Sequence, residues 1–142
     1  MAFIKERKFK ISSHIENLDE SGIAEGDAER TEVSPDGFFK ISDGEYVISY
    51  TETENGEKTV CEVTVKENTV KVSRRGAIKS DIIFEEGKEY SSLYSVGPYS
   101  FDCTVFTKKI RNNVTRDGGK LNILYKMTIG GQDKNVRMRI EI

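Results

Sequence analysis

Arg74 is the residue whose placement promises the most chemistry. In the run Val70, Val72, Arg74 it shares a phase with apolar side chains, so an inward-turned face would carry a guanidinium with it. An unpaired charge is very costly to bury, and such a group needs an acidic partner or an anionic ligand. Glu52 shares the phase of Ile48 and Tyr50 and is the natural partner. Arg74, Glu52, Tyr50 and Tyr99 are therefore the candidate ligand-binding residues, at the polar end of an internal pocket. The competing reading is a structural ion pair, or a strand end where Arg74 already meets solvent.

The other reactive residue types point to no chemistry. His14 is the only histidine, and one histidine with two distant cysteines does not make a metal cluster. Cys61 and Cys103 sit within strand-like runs as small hydrophobes, without a neighbouring base to lower a thiol pKa. No Gly-x-Ser-x-Gly elbow occurs. Gly118-Gly119 and Gly130-Gly131 fall in hairpins and not in strand-to-helix turns, so they are not phosphate cradles. No catalytic residue, metal or cofactor is assigned, and an enzyme is not expected.

Composition limits the partners. Among 142 residues, 22 bases stand against 24 acids, a balance that by itself suggests neither nucleic acid nor a membrane surface. The distribution is uneven: Glu16 to Glu32 holds seven acids and one base, whereas Lys108 to Arg139 holds nine bases and two acids. Arg137 and Arg139 alternate with Met138 and Ile140 and face outward together, and Lys120 and Lys126 can join them. Nucleic-acid-binding sheets usually add exposed aromatics for stacking, but Tyr125 lies in the apolar phase, so nucleic acid is not the expected partner. The N-terminal stretch has no apolar run after its charges, and nothing approaches the ~20 apolar residues of a membrane span. A cytoplasmic protein with unpaired cysteines is expected.

The elements that must position these residues announce themselves by alternation. Apolar residues make up 36% and charged residues 32%, which suits strands with one apolar and one wet face. Phe9, Ile11, Ser13 and Ile15 share a face; residues 17–27 read as an acidic surface loop; Pro35-Asp36-Gly37 marks a turn or a bulge. Asn55-Gly56 between two apolar-patterned runs is a strong hairpin signal. Tyr99, Phe101, Cys103 and Val105 line one face of a longer strand, and Leu121 to Ile129 and Val136 to Ile142 alternate without a miss. The whole chain, 1–142, reads as one all-β domain: an antiparallel meander of about eight to ten strands closed into a barrel, which removes the exposed edges of so long a meander.

From Gly37 to Ile142 the chain also resembles an uncharacterised bacterial family, the YwiB-like proteins. The resemblance rests on Gly37-Phe38-Phe39-Lys40, Tyr50-Thr51-Glu52, Arg74-Arg75-Gly76, Phe84-Glu85-Glu86-Gly87-Lys88, Thr107-Lys108-Lys109 and Gly118-Gly119-Lys120-Leu121. It departs where the family has Thr-Pro-Tyr-Gly and this chain has Gly97-Pro98-Tyr99-Ser100. The resemblance implies a lipocalin-like or calycin-like barrel and brings no activity with it. By analogy with that fold, the expected function is non-catalytic binding of a small apolar or amphipathic ligand. The alternative is a structural or protein-interaction module whose barrel is filled by its own large side chains.

Overall fold

The computed structural model describes residues 3–142; Met1 and Ala2, which open the charged N-terminal stretch, lie outside the described residues. Alternation is realised as twelve strands: β1 (Phe3–Lys8), β2 (Lys10–Asn17), β3 (Glu29–Val33), β4 (Asp36–Ser42), β5 (Glu45–Glu54), β6 (Glu57–Val65), β7 (Thr69–Gly76), β8 (Ile78–Glu85), β9 (Glu89–Val96), β10 (Tyr99–Asn112), β11 (Lys120–Ile129) and β12 (Gln132–Glu141). No helix occurs among the described residues. The strands exceed the expected eight to ten, in part because the N-terminal arm adds β1, whose mostly exposed Phe3-Ile4-Lys5-Glu6-Arg7-Lys8 carries no alternation to read.

All twelve strands join one antiparallel sheet, in the order β1-β4-β5-β6-β7-β8-β9-β10-β11-β12-β2-β3. From β4 to β12 every strand neighbours the next in sequence, the meander that the tight turns demand. Asn55 and Gly56, with φ of 52° and 80°, make the two-residue turn with positive φ at both centres that Asn-Gly favours, and this pins β5 on β6.

The sheet curls, and the two ends are linked by a single long hairpin. β1 pairs with β4 up to Lys8↔Asp36, and β2 pairs with β3 from Ile11↔Val33, with equal numbers of residues between the pairs on both arms. The register therefore runs on unbroken through the joint, where Phe9 N donates to Pro35 O at 2.9 Å. One half of this hairpin lies on β5 through β4, the other on β12 through β2. Pro35 is thus neither a turn nor a bulge; it sits at the bend, and β1 and β3 are the borders of the sheet.

One face of the curl is apolar. Phe9, Phe39, Ile48, Val63, Phe84, Leu121, Ile123 and Ile140 are all buried and form a continuous core. Phe84 and Tyr125 rings meet across it at 4.7 Å between centroids. β8 and β9 pair only through Ile78–Ser80 and Tyr94–Val96, and their turn instead folds onto β10, where Gly87 N donates to Thr107 O at 2.8 Å and Thr107 N to Lys88 O at 3.2 Å. In the acidic segment after β2, Leu18 is buried, and Asp19 Oδ1 accepts from the backbone N–H groups of Ser21 and Ile23.

Candidate functional site

Cross-strand register brings five polar side chains into one line on the concave face. Tyr50 lies opposite Cys61, Cys61 opposite Arg74, Arg74 opposite Ser80, and Ser80 opposite Tyr94. Glu52 is two residues along β5 from Tyr50 and so points to the same side. Apolar neighbours enclose this belt: Val72, Ile78 and Ile82 flank Arg74 and Ser80 on their own strands.

Arg74 is partly buried. Its backbone carbonyl accepts from Arg75 Nη1 at 2.7 Å, but its guanidinium has neither hydrogen bond nor ion pair among the described residues. Burial works against the charge, yet the Glu52 carboxylate, and after it Tyr50, Cys61 and Tyr94, outweigh burial and hold the guanidinium pKa above its ordinary value. Arg74 is therefore a fixed cation in an apolar wall, with Glu52 close enough to be felt but too far for an ion pair.

The neighbouring thiol and phenols are neutral. Burial first, and the nearby Glu52 carboxylate second, push the Cys61 thiol up to about 11. Burial likewise raises Tyr125 to about 12, and raises Tyr94 and Tyr50. The thiol is protonated at neutral pH and unsuited to nucleophilic attack. Ser80 Oγ is buried and has no hydrogen-bond partner among the described residues.

Two adjoining hollows meet at this belt. One, of about 350 Å³, has Arg74, Glu52 and Tyr94 facing Phe84, Tyr125 and Met127. The other, of about 630 Å³, runs from Tyr50, Glu52 and Arg74 towards Ile11 and Pro35 at the hairpin bend. Ser13, Glu52, Val72, Arg74 and Met138 border both. Both hollows are partly open to solvent and lie beside a core packed by the large inward side chains.

Of the residues singled out in the sequence, Arg74, Glu52 and Tyr50 come together and Tyr99 does not. Tyr99 begins β10 and is 67% exposed, beyond the rim of the curl. Its phase is that of Cys103 and Val105, but phase gives the face and not the height along the strand. Tyr94 occupies the place expected of Tyr99, and Ser80 was also missed. The turns held the signal: strands joined by a tight turn pair as reflections about its centre, so Asn55-Gly56 sets Tyr50 opposite Cys61, and Glu67-Asn68 sets Cys61 opposite Arg74.

His14 lies on the outer face between Arg30 and Arg137. Cys61 and Cys103 are both buried and free. Among the described residues, no group of three or more histidines, cysteines or acids could hold a metal ion, and no helix is long and apolar enough to cross a membrane.

Comparison with known proteins agrees with this architecture. Residues 14–142 match the family described as Domain of unknown function (DUF1934). The chain is 25% identical over 126 residues to the uncharacterized beta-barrel protein YwiB of Bacillus subtilis, covering 89% of this chain and 87% of that protein. The crystal structure of the ywiB protein from Bacillus subtilis superposes with a TM-score of 0.76 at 24% identity, covering 97% of this chain and 94% of the other.

Proposed function

We propose that this chain, which belongs to the DUF1934 family, binds a small amphipathic molecule in its lumen and performs no chemistry on it. The observation that carries the reading is the Arg74 guanidinium, partly buried in an apolar-walled hollow and without a hydrogen-bond or ion-pair partner. A half-buried guanidinium of that kind keeps its donors available for an acceptor from outside the chain. The ligand's polar head sits between Arg74 and Glu52: it accepts from the guanidinium and is neutral or carries a donor towards the carboxylate. Its apolar body lies along Phe84, Tyr125 and Met127. The combined dimensions suit a molecule of ordinary ligand size. The raised thiol and phenol pKa values leave neither Cys61 nor Tyr125 activated as a nucleophile, which supports binding without turnover. Free buried thiols fit a protein of a reducing compartment such as the cytoplasm.

Native mass spectrometry of protein purified from its own host tests this. Wild-type protein retains a small molecule, and Arg74→Met loses it while keeping the thermal unfolding midpoint of a folded barrel. Bare wild-type protein, or retention unchanged by Arg74→Met, rejects the reading and favours a structural module.

A further inference from the structure

The convex face carries a second feature, independent of the lumen. Across β3, β2, β12, β11 and β10, register places Arg30, His14, Arg137, Leu124 and Lys109 in one line, each opposite the next. Two residues along, Glu32, Ser12, Arg139, Asn122 and Arg111 form a parallel line. Arg30, Lys109, Arg111, Arg137 and Arg139 are all exposed.

The acids do not neutralise it. Glu32 is taken by Lys10 at 3.3 Å and Asp133 by Lys126 at 3.7 Å, while Glu141 is shared between Arg139 at 3.2 Å and Lys120 at 3.9 Å. Among the described residues Arg30, Lys109, Arg111 and Arg137 have no ion pair. Lys120 and Lys126, which alternation places with the outward bases, are the ones already paired. The free cations come from three separate segments of the chain and meet only through register. Two open grooves, of about 700 and 490 Å³, run between these side chains and share Asn122, Arg137 and Arg139.

We infer that this face binds the phosphate backbone of a nucleic acid. Five strands at ~4.8 Å spacing make the line from Arg30 to Lys109 ~19 Å long. A small anion is held by groups converging on a point; cations spaced along two parallel lines, with neutral residues and the Lys10-paired Glu32 between or beside them, match a linear polyanion instead. No aromatic lies among them, and Leu124 is the apolar exception, so bases are not stacked and binding is without sequence preference.

The test is fluorescence anisotropy with labelled single-stranded and duplex oligonucleotides of about 20 nucleotides and scrambled sequence. Wild-type protein binds both at about 50 mM salt, with a log–log salt slope between about −3.5 and −4.5 for five phosphate contacts. The double substitution Arg111→Glu with Arg137→Glu weakens binding at least about tenfold, whereas Arg74→Met leaves it unchanged. Should the double reversal fail to fold, Arg30→Gln with Arg137→Gln removes two of the cations without introducing acids, and it too must weaken binding. No binding by wild type, a slope shallower than about −1, or a folded double variant that binds as wild type does overturns the inference. So does low-salt self-association that Arg137→Glu abolishes, without oligonucleotide binding, because that would assign the face to the acidic segment of a second copy.

Discussion

Arg74 and Cys61 are cross-strand partners in opposite situations. The guanidinium keeps its charge against burial because Glu52 favours it; the thiol keeps its proton because burial and the same carboxylate disfavour the thiolate. Cys61 thus binds a proton up to about pH 11 in the fold, against an ordinary thiol value of 9.0. The unfolded chain releases that proton first, so raising the pH from 9 towards 11 costs stability, on the order of 2 kcal/mol in full. Denaturation midpoints measured over this range fall for wild type and fall less for Cys61→Ala. In native protein at pH 8 the thiol remains unmodified by iodoacetamide, as intact-mass measurement would record. At this scale the sequence was half legible. Arg74, Glu52 and Tyr50 follow from phase alone, whereas Tyr94 and Ser80 are placed by the pairing of β7, β8 and β9, and Tyr99 was lost because phase carries no information on where a strand leaves the rim.

The decisive element is the long N-terminal hairpin. It lies on the meander at both ends, and at its bend the fully buried Phe9 packs near Tyr50, with ring centroids 6.5 Å apart. Truncating a buried phenylalanine costs roughly 3–5 kcal/mol where the site cannot collapse. Phe9→Ala should therefore lower stability by that amount in urea denaturation. It should also weaken ligand retention, because Phe9 joins the hairpin that borders the larger hollow. An equal substitution at the exposed Phe38 on β4 should cost well under 1 kcal/mol. Most strands were legible because Val, Ile and Tyr alternate between Gly- and Asn-containing turns. β1 was not, since Lys5-Glu6-Arg7-Lys8 on a border strand has no buried face to impose a pattern. A further constraint sits at Gly76, whose φ of 148° and close approach to the Lys58 carbonyl leave no room for a Cβ where β7 ends beside the site.

As a whole, the molecule separates two surfaces by the pleat of one sheet. On β2, β11 and β12, inward residues such as Ser13, Tyr125 and Met138 border the lumen, while outward neighbours His14, Leu124 and Arg137 build the cationic lines. Substitutions on one face should therefore leave the other's binding intact. The clearest trial of the lumen is a crystal structure of protein purified from its own host. Elongated density running from Arg74 and Glu52 towards Tyr125 and Met127 is the expected result. An Arg74 bonded directly to Glu52, in a lumen closed by its own side chains, would contradict it.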